Sequence, residues 1–384
     1  MGKRYWPEFL DHFFHVEAAS GVVLLVAAVA ALAWANSPWE AGYRHLWELP
    51  LPLGTGALTF SRSLHFWVND GLMGLFFALV GLEVRRERRD GALSSPKIAI
   101  LPVAAALGGV LVPALFYVTL NLGSGSLRGW AVPTATDIAF AIGVLALLGP
   151  RVPPALRVLL LAIAIIDDIA AIVVIAFFYS DGIRLSGLLL TALGILGLET
   201  LRAMRLRIAL IYVVPGVLVW IGLLRAGMHP ALAGFIMGAC IPAPSGERVE
   251  QMLHPWVAFG VMPLFALANA GVELGGLRFD PHTTAPVALG IVAGLVLGKP
   301  VGILLTTAAC VRLGWCSLPP GIDLKRMAII ACLAGIGFTM ALFICDMAFD
   351  GERLAAAKLG ILVASAVAGL IGLSIGRWLL PAVT

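Results

Sequence analysis

The sequence predicts an all-α polytopic membrane protein of about twelve transmembrane helices, with inverted-topology repeats, two broken crossing helices and one small external β-hairpin. Three observations carry that prediction. Apolar residues fill 60% of the 384 positions and charged residues only 12%, and mean hydropathy is +0.98, which leaves too little polar surface for a water-soluble globule. Apolar runs of bilayer length recur from about residue 10 to about residue 380, with short connections. Two of these runs are interrupted in mid-span by Pro, Thr, Asp or Gly, which a membrane tolerates only where neighbouring protein satisfies the freed backbone.

The first span is expected over 14–35, behind a polar and aromatic lead, MGKRYWPEFLDHFFHVEAAS, that reads as amphipathic and not as a cleaved signal. Residues 37–63 form a longer loop. Within it, WELPLPLGTGALTFS reads as two extended arms about a Gly-Thr-Gly turn. Such a hairpin, 45–61, can simply cap the loop or pair with its copy in a second protomer along an exposed edge. Further spans are expected over 65–84, 98–120, 127–148, 156–179, 185–200, 207–224, 227–241, 253–272, 286–311, 327–347 and 355–380. They make one integral membrane domain, 1–384, with repeat units about 97–180 and 286–380 and the remaining helices forming an interface region.

An even number of spans puts both termini on one side. Basic residues crowd that side, among them Lys3, Arg4, Arg85, Arg86, Arg88, Arg89, Arg202, Arg205, Arg207, Lys325 and Arg326. Both termini are therefore expected in the cytoplasm. The same asymmetry accounts for the formal net charge of +4, so no nucleic-acid partner is expected.

The fourth run, WAVPTATDIAFAIGVLALLG (130–149), carries Pro133, Thr134, Thr136 and Asp137. Proline removes a donor and biases its predecessor away from helix, whereas Thr and Asp cap a new helix start. The spacing predicts two short helices joined by an extended TAT stretch. In the eleventh run, MAIIACLAGIGFTMALFICDMAF (327–349), Gly335 and Gly337 stand in mid-span with Thr339 behind them. Alone, those glycines could mark close helix packing. Paired with the fourth run they mark a second break, each in the middle of three successive spans of opposite starting side, as in inverted repeats whose broken helices cross at a binding site.

Asp167 and Asp168 lie inside the apolar stretch LLLAIAIIDDIAAIVVIAFF (159–178). Ionisable groups are expensive in hydrocarbon and usually line an ion or proton path. Lys299, in LVLGKPVGILL, is the other deep charge; it either snorkels to a boundary or takes one of the two aspartates as partner. Facing helix N-ends leave positive partial charge that Asp137 can offset, and facing C-ends leave negative partial charge for Lys299. Ionised, the carboxylates with the Thr136 hydroxyl and freed carbonyls form a hard oxygen site for a small dehydrated cation; protonated, they release it. The structural alternative ties both carboxylates permanently to cations.

Asn69 and Asp70 open the second span, and Glu83, Arg86 and Glu87 close it beside Glu250 and His254 of the ninth. That group is either a solvated helix end or a titratable mouth that alters access. His229 precedes Pro230 at the opposite start of the eighth span. The five cysteines show no metal-ligand or disulfide spacing, and no GxxxxGK[ST] loop is present, so neither a metal cofactor nor a nucleotide is expected. Three transport classes remain: a cation/proton exchanger, a cation channel, and a proton-coupled symporter in which Lys299 holds an organic acid.

The motifs TATDIAFAIGVLALLG, LAIAIIDDIAAI, LGKPVGI and GIGFTM, with NDGLM, FFALVGLEVRRE, AGMHPALAG and VEQMLHPW, resemble the NhaA-type sodium/proton antiporters of bacterial inner membranes over nearly the whole chain. The resemblance implies a multi-pass protein in the lipid of the inner membrane, homodimeric through the external hairpin, with no enzymatic activity and no cofactor. It implies electrogenic exchange of Na+ or Li+ for a larger number of protons, switched on at alkaline pH. Asp168 is then the principal cation ligand, Asp167 a second essential carboxylate paired with Lys299, and Thr136 part of the cation site. Asp137 and Lys299 form the dipole-compensating pair, and either Lys299 or Asp167 carries the second proton. By the same resemblance Asp70 lines the outer path, Glu83, Arg86, Glu87, Glu250 and His254 form the pH-responsive mouth, and His229 affects the pH profile.

Overall fold

The computed structural model describes residues 5–53, 60–180, 182–275 and 278–380, without the side chains of 5–18 and of residue 53. Among these residues nine helical stretches are long and apolar enough to cross a bilayer, or up to eleven when each bent pair counts as one span. Among the described residues the regular structure is helical apart from one two-stranded antiparallel sheet.

Helix α1, Tyr5–Ala35, runs without interruption through the expected lead, and a bend of 114° turns the chain into α2, Glu40–Glu48. Strands β1, Pro50–Leu53, and β2, Phe60–Ser63, follow, paired with Pro50 opposite Ser63 and Leu53 opposite Phe60. Two prolines in β1 cannot donate to a ladder, so that strand suits only an edge. The Gly-Thr-Gly turn lies outside the described residues.

The remaining helices are α3 (Leu64–Asp90), α4 (Pro96–Leu120), α5 (Ile138–Ala146), α6 (Pro154–Phe178), α7 (Leu185–Ala203), α8 (Ala209–Ala226), α9 (Leu232–Cys240), α10 (Ala243–Asn269), α11 (Thr284–Arg312), α12 (Leu324–Ala334), α13 (Phe338–Ala348) and α14 (Gly351–Leu379). Two differ from expectation. Of the expected span 227–241 only the nine residues of α9 are helical, because Gly227 turns the chain at a left-handed φ of 78° and Pro230 follows. At about 1.5 Å per residue such a helix falls far short of the hydrocarbon thickness. Helix α10 starts at Ala243 and not near 253, so Glu250 and His254 lie within it and not at its start. The cause is Pro242, which is extended at ψ 145°, with a further proline accepted in the first turn, where no N–H is needed.

Wide π turns occupy Val257–Val261 of α10 and Gly294–Gly298 of α11. Each is followed by a proline, Pro263 or Pro300, whose ring crowds the carbonyl four residues back and opens the turn. A third lies at Trp67–Leu72 in α3 and carries Asp70.

Contacts group the chain into two compact units. One comprises residues up to Val26, Ala92–Ala171 and Leu274 onward, and contains both helix breaks. Here α4 and α11 touch at Gly108 and Gly302, where a Cβ on either would overlap the other's carbonyl. The second comprises Ala27–Gly91 and Ile172–Glu273, with α3 and α9 in similar backbone contact at Gly74 and Gly234.

Candidate ion-binding site

In the fourth span a 3-10 turn, Leu127–Thr134, gives way to extended backbone at Ala135 before α5 begins after Asp137. The eleventh span breaks at Gly335–Gly337 between α12 and α13, which are bent by 47°. A Cβ on Gly335 would overlap the Leu295 carbonyl, so only glycine allows this approach. The two breaks cross backbone to backbone: the Asp137 N–H donates to the Ile336 carbonyl at 2.7 Å.

Asp137 is the N-cap of α5, and its Oδ1 accepts from the Phe140 N–H at 2.9 Å. Its Oδ2 accepts from the Thr339 N–H at 3.0 Å and the Thr339 hydroxyl at 2.5 Å. One carboxylate therefore serves the N-ends of both α5 and α13, where unpaired amides and positive partial charge collect. A second acceptor reaches α13 from α14, whose Ser365 Oγ lies 3.2 Å from the Phe338 nitrogen. Ser365 carries little signal in the sequence: it has no charge, breaks no helix, and stands among Ala and Gly.

Opposite in sign stands Lys299. Its Nζ donates to the carbonyl of Thr134, the last residue of the 3-10 turn, and lies 2.8 Å from Asp167 Oδ2. The Thr136 Oγ1 lies 2.6 Å from that same carboxylate oxygen and 2.9 Å from the carbonyl of Ala334, the last residue of α12. Asp168 sits beside Asp167 on α6, equally buried at 1% exposure, and Thr136, Asp137, Lys299 and Thr339 are at 0%. Water is excluded around these groups, so each charge must find its partner within the protein.

The other sequence-derived residues lie in the second unit, in two groups. Arg86 pairs with Glu250 and lies 3.6 Å from Glu87, while Arg89 lies 2.5 Å from Glu247. Glu83, Glu87 and Glu250 are buried, and His254 is half-buried one turn beyond Glu250. The second group joins two residues that the sequence leaves separate, for Asp70 Oδ1 lies 3.0 Å from His229 Nδ1. Trp220 Nε1 donates to the Asp70 carbonyl at 3.0 Å. Next to Asp70, Asn69 exchanges amide hydrogen bonds of 2.9 and 3.3 Å with Asn269.

A family profile described as Na+/H+ antiporter 1 matches residues 11–375. The chain belongs to that family. It is 47% identical to the Na(+)/H(+) antiporter NhaA 2 of Sorangium cellulosum (strain So ce56), across 97% of this chain and 90% of the relative. It is 52% identical to the Na(+)/H(+) antiporter NhaA of Acidovorax sp. (strain JS42), across 96% and 92%, and 47% identical to that of Janthinobacterium sp. (strain Marseille), again across 96% and 92%. As a member of the antiporter family the chain is a secondary transporter and not an enzyme. Its buried carboxylates and broken helices fit cation/proton antiport.

Proposed function

We propose that this protein is an electrogenic antiporter that expels sodium, or lithium, from the cytoplasm in exchange for a larger number of protons. The observation that carries the reading is the burial of Asp167 and Asp168 beside the crossing, with Lys299 and Thr136 held on Asp167. Asp168 is the principal cation ligand, with Asp167 and Thr136 completing the oxygen set. A bare small cation needs oxygens to replace its water, and two carboxylates with a hydroxyl and freed carbonyls supply them. A proton on either carboxylate removes the charge that holds the cation, so the two ions compete and each expels the other without nucleotide hydrolysis.

Hydrogen-bond bookkeeping at Thr136 supports a site with two states. Its hydroxyl owns one hydrogen and faces two acceptors when Asp167 is ionised, the carboxylate and the Ala334 carbonyl. A proton on Asp167 Oδ2 lets the Thr136 hydroxyl accept from the carboxyl and donate to the Ala334 carbonyl, so that one hydrogen serves each acceptor. Lys299, bonded to Asp167 and to the end of the 3-10 turn, is the second group able to give up a proton, which makes more than one proton per cation feasible. Asp137 and Lys299 are the pair that neutralises the crossed helix ends.

Residues 97–180 and 286–380 are the inverted repeats, each contributing a broken middle span, and the remaining helices form an interface region. Arg86, Glu83, Glu87, Glu250 and His254 constitute a cytoplasmic mouth that opens the path at alkaline pH; two of its buried carboxylates, Glu87 and Glu250, share Arg86. Asp70 and His229 form the corresponding pair on the external path. Both termini are cytoplasmic in a bacterial inner membrane, a placement that counts the short 227–241 segment as a crossing and is supported by the basic-residue asymmetry and by bacterial relatives. The external hairpin, 45–61, is the element through which two protomers pair.

Proton release on adding sodium to detergent-solubilised protein tests the reading. Antiport predicts saturable release that depends on pH. A channel predicts little release, and an organic-acid symporter predicts no response to sodium alone.

A further inference from the structure

We propose that Ser365 is a positioning residue for the ion site: it holds the first amide of α13 so that Asp137 is free to join the two broken helices. The inference rests on the antiport reading above. Its basis is the run of α14 along the second break. Ala368 lies against Gly335, Gly369 against Ile336, and Gly372 against Leu333, so α14 passes antiparallel to the broken segment with small residues at each step. That register brings position 365 to Phe338, the first residue of α13.

Every other buried residue of α14 is Ala, Gly or Ile, and Ser365, at 2% exposure, is the polar one. It stands where a donor has lost its helical acceptor. The first amides of α13 have no partner four residues back, and they lie where water cannot reach. Ser365 Oγ takes Phe338 N–H at 3.2 Å, and Asp137 Oδ2 takes the next amide, that of Thr339, at 3.0 Å. The division of labour matters because Asp137 already carries the Phe140 amide and the Thr339 hydroxyl.

Without the Ser365 oxygen, the Phe338 amide competes for Asp137, and the first turn of α13 tilts toward it. Asp137 is the chain neighbour of Thr136, which touches Asp167. Displacement therefore reaches the cation oxygens by one peptide unit. Thr136 and Asp167 supply oxygens of the proposed cation site, so a shift there is read as a weaker hold on the cation.

The test is sodium-driven proton release by the full-length protein in proteoliposomes, read as apparent KM and maximal rate for sodium. Ser365→Ala removes the acceptor and adds no bulk; it should raise the apparent KM for sodium about threefold to tenfold with the maximal rate within about twofold of the parent. Ser365→Thr keeps the hydroxyl and should return KM to the parent value. Ser365→Cys, of similar size with a weak acceptor, should fall between, and supplies the graded comparison if the alanine variant does not fold. An unchanged KM in the alanine and cysteine variants, with or without a lower melting temperature, overturns the positioning role. Parent protein that releases no protons on sodium addition would sink the antiport reading itself, whereas a responsive parent with indifferent variants sinks only the role of Ser365.

Discussion

Asp137 offers the sharpest test of the crossing. Its two oxygens receive the Phe140 amide, the Thr339 amide and the Thr339 hydroxyl; Asp137 and Thr339 are buried and Phe140 is half-buried. In Asp137→Ala the hydroxyl can rotate away, but the two amides are fixed by their helices. Each stranded buried amide costs about 1–3 kcal/mol, so the alanine variant should lose about 2–6 kcal/mol. Asp137→Asn keeps one carbonyl oxygen and turns an NH2 toward one of the two amides, so its loss should be about half as large, about 1–3 kcal/mol. At about 2 °C per kcal/mol, the low end for large domains, the alanine variant should melt about 4–12 °C below the parent and the asparagine variant about 2–6 °C below. Thermal unfolding of the detergent-solubilised protein, followed by the fluorescence of its 10 tryptophans, measures both shifts. An alanine variant that melts within about 1 °C of the parent, or below which the asparagine variant falls, would refute the shared-cap argument.

Asp168→Asn should abolish sodium-dependent proton release while leaving the helix breaks intact; exchange at the normal rate would remove Asp168 from the cation site. Lys299→Ala leaves Asp167 buried without its cation and the Thr134 carbonyl without its donor, a loss of about 3–5 kcal/mol, and should alter the charge moved per turnover. Unchanged heat stability together with unchanged electrogenicity would contradict the pairing. Glu250→Ala removes one of the carboxylates that pair with Arg86 and should mainly displace the pH profile of exchange; a uniform loss of sodium affinity at every pH would speak against a regulatory mouth.

Much of the fold is legible along the chain because the signals are local. Pro133, Thr136 and Asp137 announce the first break within five residues, and Gly335 and Gly337 announce the second, since proline, caps and glycine act on their own backbone. The start of α10 was less legible. Its first turns, APSGERVEQML, are polar enough to read as a connection, and the start signal of Pro242 with a proline in the first turn is weak beside the apolar run that follows. The π turns ahead of Pro263 and Pro300 likewise depend on how a helix absorbs a proline when its ends are held by contacts elsewhere.

From the order of residues alone come the membrane class, the positions of both breaks and the mid-span charges Asp137, Asp167, Asp168 and Lys299, because hydropathy and backbone propensity need no distant partner; the burial of Glu83, Glu87 and Glu250 does not follow from it. Partnership itself belongs to the folded chain. Lys299 could have taken either aspartate, and it is the geometry at Thr134 and Thr136 that gives it Asp167. Asp137 reaches Thr339 across 202 residues, and Asp70 finds His229 only when α3 and the turn before α9 are brought together. Hydrogen bonds and ion pairs act over a few ångströms, and separation along the chain says nothing about which atoms will come that close.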